Sequence, residues 1–166
     1  MEPKFRSIQE KKFAGKRLTV SFIQNRTPEL WRAFMPRRRE IADAVGSELY
    51  SIEIYPTGFF DRFDPSADYE KWAAVEVNDP SNIPDGLETM TSPAGLYAVF
   101  IHRGPASEAE RTYRHIFETW LPASGFILDD RPHFAVMGDK YSNDAPESEE
   151  EIWVPVAERN ESLTQT

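Results

Sequence analysis

The sequence predicts an α+β fold in which a strand–helix–strand–strand unit is used twice. Three observations predict it. Leu18, Val20 and Phe22 alternate with polar residues, the pattern of a half-buried strand. Two stretches carry apolar residues at helical spacing: Leu30, Phe34, Ile41 and Val45 in the first half, Tyr113, Ile116, Phe117, Trp120 and Leu121 in the second. The third is a repeat. Glu70-Lys71-Trp72 matches Glu151-Ile152-Trp153 at two positions, and Phe22-Ile23 matches Phe100-Ile101 at a slightly shorter offset that a loop insertion absorbs. Matches this short arise by chance; combined with the same element order in both halves they favour duplication. One such unit cannot cover both faces of its sheet, whereas two side by side share a core and leave a cleft at their seam.

Each element has a local reason. The opening, Lys4 to Phe22, mixes charge with scattered apolar residues (Phe5, Ile8, Phe13) before the alternation sets in. Thr27-Pro28-Glu29 starts a helix with a capping hydroxyl, a proline at the first position and an acid in the first turn. Pro36 is expected to kink or split that helix and Gly46 to end it. Tyr50 to Tyr55 and Tyr69 to Val77 read as strands, separated by a loop over Thr57 to Pro65 that contains Phe59, Phe60 and Phe63. Leu87 to Thr91 and Leu96 to His102 read as two strands joined by Ser92-Pro93-Ala94-Gly95. Ser107 and Glu110 form a capping-box pattern for the second helix, which Pro122 and Gly125 stop. His133 to Gly138 and Glu151 to Val156 are the last strands, with an acidic loop over 139–149 between them. The chain reads as a single domain over 1–157, with pseudo-repeats at about 5–78 and 87–157 and a frayed tail over 158–166.

Composition narrows the chemistry. At 166 residues the chain is long enough for one sizeable core without a staple. It has no cysteine, which removes disulfides, thiolate nucleophiles and cysteine-held metals together. The formal charge of -9 disfavours direct nucleic-acid binding. No apolar run approaches the roughly 20 residues that cross a bilayer, and Met1 to Lys16 is too polar for a signal peptide, so the expected compartment is the cytoplasm. His102, His115 and His133 lack the spacing of a metal pair, and no metal or cofactor is expected. Arg37-Arg38-Arg39 is too short a basic run for nucleic acid and is expected to pair with nearby acids. Phosphate-binding glycine loops and the nucleophile elbow are missing as well.

What stands out is the aromatic content: four Trp, six Tyr and eleven Phe. Among the acids from Asp144 to Glu151, the first four read as a solvated loop. Glu151 is the last before Ile152-Trp153-Val154-Pro155-Val156, and alternation puts Glu151 and Trp153 on one strand face, opposite the apolar Ile152, Val154 and Val156. Glu151 either caps the strand toward water or stands beside the indole as an anchor for a cationic or hydrogen-bonding ligand held between rings. The rings at Trp31, Phe34, Tyr113, Phe117 and Trp120 read as core or as pocket walls, and Phe59, Phe60 and Phe63 as a lid or a cover over the core's open end.

Several segments together resemble the GyrI-like family, the effector-binding domain of AraC- and MerR-type transcription activators. They are Leu30-Trp31 with Phe34-Met35-Pro36-Arg37; Pro93-Ala94-Gly95-Leu96-Tyr97-Ala98-Val99-Phe100 followed by His102-Arg103-Gly104; Trp120-Leu121-Pro122 with Ser124-Gly125; Arg131-Pro132-His133-Phe134; and Glu151-Ile152-Trp153-Val154-Pro155-Val156. The resemblance runs from about Phe5 to Val156, with the more specific motifs in the second half. It implies a duplicated strand–helix–strand–strand module forming a curved antiparallel sheet with two main helices. It also implies a small hydrophobic or aromatic ligand, cationic ones included, anchored by Glu151 with Trp153, Trp120, Tyr97, Trp31 and Phe60 as walls. Other members of the family imply two further roles: hydrolysis of cyclopropane-type electrophiles with Glu151 as general base, or protection of a protein partner such as gyrase. The activators place a DNA-binding domain ahead of this module, whereas here the module begins near Met1, so a stand-alone form is expected. Haem-binding proteins of related architecture use an axial-ligand motif that these three histidines do not form.

Overall fold

The computed structural model describes residues 1–142 and 145–159; Asp144 and the tail over 160–166 lie outside them. Nine strands run in chain order: β1 (Lys4–Ile8), β2 (Lys11–Val20), β3 (Leu49–Ile54), β4 (Tyr69–Val77), β5 (Glu88–Ser92), β6 (Gly95–Arg103), β7 (Phe126–Leu128), β8 (His133–Met137) and β9 (Glu149–Glu158). Helix α1 (Thr27–Phe34) lies in the first half, and α2 (Ala109–Arg114) opens the second helical segment. Eight strands form one antiparallel sheet in the order β1-β6-β9-β8-β3-β4-β2-β5, and β7 adds to β9. The fold is α+β, as expected, and the repeat is visible in the pairing: β2-β4-β3 in one half answers β6-β9-β8 in the other, with β3 against β8 at the seam.

The edge strands are exchanged. β1 leads into β2 but pairs with β6, and β5 leads into β6 but pairs with β2. Gln9-Glu10 and Pro93-Ala94 are the only residues between these consecutive strands, a link spanning ~10 Å at most. The two ends of the strand order are therefore tied together, and the sheet must curve. Its helix-free face closes on itself: Phe13 of β2 shares one buried cluster with Tyr97 and Val99 of β6, although β2 and β6 are far apart in strand order. On the other face, α1 packs Leu30 and Phe34 on Ala14, Ala73, Val75 and Val77. The second helical segment packs Ile116 on Ala98, Phe100, Ile152 and Val154.

Several boundaries differ from the sequence expectation. β1, read as scattered, is a paired edge strand, and β2 starts at Lys11 and ends at Val20, leaving Phe22 exposed. The first helix stops at Phe34 and continues as a 3-10 turn only over Met35–Glu40; Pro36 has no N–H to extend an α-helix, and Gly46 lies beyond the end. The hydroxyl of Thr27 is bonded to the Asn25 side chain and caps nothing. No capping box forms at Ser107, because a 3-10 turn over Ala106–Glu108 precedes α2 and Glu110 pairs with Arg114 at 3.0 Å instead. A π-helical turn, His115–Trp120, follows α2, and a last turn covers Leu121–Ala123. β9 begins at Glu149, inside the expected acidic loop, and continues through Glu158 against Phe126. Arg37 pairs with Glu40 at 2.7 Å, as the basic triplet suggested.

A polar layer is buried on the helix face near the seam. Lys71 and Glu53 pair at 3.3 Å, and burial pushes the Glu53 carboxyl up. His133 sits against Tyr55, with ring centroids 4.9 Å apart. Burial, with a smaller push from Arg131, lowers its pKa from 6.5 to about 3. The unfolded chain takes up a proton near pH 6.5 that the folded protein refuses until about pH 3. Stability supplied by the neutral ring is therefore lost as pH falls through that window, by up to about 1.4 kcal/mol per pH unit. Glu53 and Glu150, both raised by burial, act in the opposite sense: their contribution is present at low pH and fades as pH rises through their raised values. In urea titrations between pH 6 and pH 4 the His133→Phe variant is expected to lose stability less steeply than the parent; parallel slopes would clear His133 of the effect.

Candidate functional site

The helix-free face collects the chemistry. Alternation along β9 turns Glu151 and Trp153 onto it, while Ile152 and Val154 face the helices. Register then sets the neighbours: Phe134 of β8 stands across from Trp153, Val136 across from Glu151, and Tyr50 of β3 across from Val136. Trp153 stacks on Phe134 at 5.3 Å, and Phe134 meets Tyr50 at 5.9 Å. These rings line a cleft of about 600 Å³ with Glu48, Glu76 and Glu151.

The cleft is acidic. Glu48, Glu76, Asp139, Glu149, Glu150 and Glu151 line it against Lys11 and Lys140. Lys11 is taken up by Glu76 at 3.2 Å, and Lys140 lies 3.7 Å from Glu149. Tyr50 registers this field. Burial first, then the carboxylates of Glu76, Glu48 and Glu151, hold its phenol well above the ordinary value of 10.

The duplicated Glu-x-Trp pair is the same device twice. Trp72 Nε1 donates to Glu70 Oε1 at 2.7 Å, and Trp153 Nε1 donates to Glu151 Oε1 at 3.1 Å. The halves diverge in what lies alongside. Arg17 pairs in register with Trp72 and holds Glu70 at 3.2 Å; the matching register partner of Trp153 is Val99, which has no charge. Glu70 is thus neutralised, whereas Glu151 makes no ion pair among the described residues.

Of the residues singled out from sequence, the fold brings Glu151 and Trp153 together in the cleft. Tyr97 is on the same face but fully buried beneath Trp153, its hydroxyl donating to the Pro132 carbonyl at 2.9 Å and its ring under the Arg131 guanidinium at 4.7 Å. It is the floor. Trp120, Trp31 and Phe60 are on the helix face and do not join Glu151. Trp120 packs on Phe100 at 5.1 Å, Trp31 on Phe34 at 6.1 Å, and Phe60 on Phe117 at 5.6 Å. Each follows its own element: helix residues cover the apolar side of the sheet, and the loop carrying Phe59 and Phe60 packs on Val20, Tyr55 and Tyr69 and against Phe117 of the second helical segment rather than forming a lid on the cleft. Sequence reading missed Tyr50, Glu48, Glu76 and Phe134. The signal for Glu76 was available, because alternation along β4 places it on the same face as Trp72.

Among the described residues no group of three or more His, Asp or Glu is placed to hold a metal ion, and no helix is long and apolar enough to cross a membrane. Comparison with known proteins gives consistent relatives. The transcriptional regulator BrlR of Pseudomonas aeruginosa is 25% identical over 130 residues, covering 77% of this chain and 45% of that protein. A DNA gyrase inhibitor of Erwinia billingiae is 28% identical over 102 residues, covering 58% of this chain and 63% of its own. The chain spans less than two thirds of the length of either curated relative. The structure of SAV2435 bound to tetraphenylphosphonium shares the fold, with a TM-score of 0.65 at 17% identity over 95% of this chain and 94% of that one. The GyrI-like small molecule binding domain model matches residues 1–157, and with the exchanged, duplicated sheet and its aromatic cleft already described, the chain belongs to the GyrI-like family of small-molecule-binding domains.

Proposed function

We propose that the helix-free cleft binds an aromatic, lipophilic cation, with Glu151 as its counter-charge and Trp153, Phe134 and Tyr50 as the rings that enclose it. The observation that carries this reading is the isolation of Glu151: a carboxylate held by one indole N–H, beside stacked rings and within an acid excess. A cation over an aromatic face, close to a fixed carboxylate, gains from both and loses little by leaving water when its charge is diffuse. The related fold of SAV2435, which is bound to tetraphenylphosphonium, supports the same ligand class. The likeness to BrlR supports a sensor role within transcriptional regulation, the ligand being the input signal.

Titration calorimetry with tetraphenylphosphonium bromide, and with neutral triphenylphosphine oxide as the uncharged counterpart, tests the reading. The cation is expected to bind and to quench tryptophan fluorescence, and the neutral compound to bind at least about tenfold more weakly. Equal affinity for the two would overturn the assignment of Glu151 as counter-charge. Trp120→Phe is expected to leave the cation's affinity within about twofold, since Trp120 lies on the opposite face. Unchanged probe mass after incubation fits binding alone, whereas consumption of an electrophilic cyclopropane probe would move the reading to hydrolysis with Glu151 as base.

A further inference from the structure

The cleft already holds one cation, and it belongs to the protein. Lys11 stands on β2 with its side chain on the helix-free face, the face of Phe13 two residues further on. Register puts Phe13 opposite Glu76 of β4, so Lys11 is the diagonal neighbour of Glu76, within reach of a long side chain. Its ammonium makes that reach. The Lys11 Nζ donates to both oxygens of Glu76, at 3.2 and 3.3 Å, and the Tyr50 hydroxyl lies 3.5 Å from the same carboxylate. Lys11, Glu76 and Tyr50 all line the cleft.

This pair is no solvated rim contact. Its two side chains keep only 24% and 20% of their exposure, whereas Lys140, the other lysine of the cleft, is 78% exposed and stands 3.7 Å from Glu149. The remaining acids are placed differently from Glu76 and Glu151. Glu48 and Asp139 are exposed. Glu149 is shared by Arg103 and Lys140. Alternation along β9 turns Glu150 toward the helix face, where His102 and Lys71 act on it. Among the described residues of the cleft, the half-buried carboxylates that face the rings are therefore Glu151, which makes no ion pair, and Glu76, which has one. The cleft has two cation positions, one open and one filled.

We propose that Lys11 is a specificity-determining residue: its ammonium fills the second cation position, so the cleft takes an aromatic ligand with one positive charge and gains nothing from a second. This deepens the cation reading of the cleft and rests on it. The physical reason is tethering. An ammonium carried on β2 meets Glu76 at a far higher effective concentration than a free cation does, and displacing it would strip a half-buried charge of its partner. With a neutral side chain at position 11, the same place becomes an unpaired carboxylate beside a phenol, where a ligand ammonium gains a charge-assisted hydrogen bond. β8 and β3 separate β9 from β4, which sets the two positions about 14 Å apart along a flat sheet.

The experiment compares two probes by titration calorimetry: pentyltriphenylphosphonium, and (5-aminopentyl)triphenylphosphonium, which adds an ammonium at the end of the same arm. The arm and the contact distances at its two ends together cover the span. In the parent the two probes are expected to bind within about threefold of each other. In Lys11→Met, which keeps the length of the stem and loses the charge, the dication is expected to bind at least about tenfold more tightly than the monocation. Adding Glu76→Gln to Lys11→Met should abolish that preference. The ratio of the two affinities is the readout, because a change in fold or in the general charge of the cleft moves both probes together. Lys11→Gln, which still offers Glu76 an N–H, is expected to show the same preference and serves if the methionine variant does not fold. A ratio in the Lys11 variants equal to that of the parent overturns the role of Lys11, as does a parent that already prefers the dication tenfold. Binding of the monocation with an unchanged ratio leaves the cation reading of the cleft intact; absence of monocation binding in every variant and in the parent removes that reading and the role of Lys11 with it.

Discussion

Glu151→Gln is expected to weaken tetraphenylphosphonium binding by about ten- to a hundredfold, with little effect on stability. The magnitude follows from Coulomb's law. The phenyl shell keeps the phosphonium centre about 6 Å from a carboxylate, and at an effective dielectric of about 20 that pair is worth roughly 2.8 kcal/mol, or a hundredfold. Desolvation of both charges takes back part of it, which sets the lower figure. Stability should barely change because Gln retains an oxygen for the Trp153 Nε1 donor, now 3.1 Å from Glu151. Glu76→Gln should cost far less affinity, because Lys11 already offsets Glu76 at 3.2 Å. Calorimetry on the three proteins checks both statements. A Glu151→Gln protein with unchanged affinity would remove Glu151 from the site, and equal losses in the two variants would assign the effect to the general acidity of the cleft.

Gly15→Ala is expected to destabilise the protein by about 3 kcal/mol or more, the range of severe overpacking. A Cβ at Gly15 would stand 2.0 Å from the Ala73 carbonyl oxygen and 2.7 Å from the Ala74 Cα. Both are backbone atoms of the strand that Gly15 pairs with, so no side chain can swing aside. Relief requires β2 and β4 to separate, and the two residues that precede Gly15 make that costly. Phe13 and Ala14 are both fully buried, in the helix-free and helix-face clusters respectively. Gly125→Ala is the internal comparison: nothing lies within 4 Å of its added methyl, and its effect is expected to stay within about 0.5 kcal/mol. Urea unfolding of the two variants measures the difference. A Gly15→Ala protein as stable as Gly125→Ala would mean that the strand crossing tolerates more spread than its backbone distances imply.

Much of the fold was legible because alternation and helical spacing are local. Leu18 and Val20, the stripe around Ile116, and the Glu-x-Trp pairs each announce an element and its two faces without reference to anything distant. The weaker readings came where local signals compete with tertiary pairing. Lys4 to Ile8 shows little pattern because it is an edge strand with four of its five residues exposed, and only its pairing to β6 makes it a strand. The pattern at Ser107 has the right residues for a capping box, yet the chain arriving from Gly104 and Pro105 forms a 3-10 turn there, and Glu110 finds Arg114. Trp31, Trp120 and Phe60 were reasonable pocket walls by residue type, but residue type does not report the face of the sheet on which a ring lies.

By itself, then, the sequence determined the α+β class, the duplicated element order, and the sharing of one strand face by Glu151 and Trp153, all of them consequences of period along a single segment. The tertiary structure decided the rest. Strand order and register place Val99 beside Trp153 where Arg17 stands beside Trp72, so one copy of a repeated carboxylate is neutralised and the other left open. The adjacency of β9, β8, β3 and β4 brings Glu48, Glu76 and Tyr50 to Glu151, and the exchange of β1 carries Lys4 and Arg6 to its other side. These are relations between segments far apart in the chain: the pattern along one strand says which residues share a face, but which strand lies alongside is settled only when the faces of all of them are buried together.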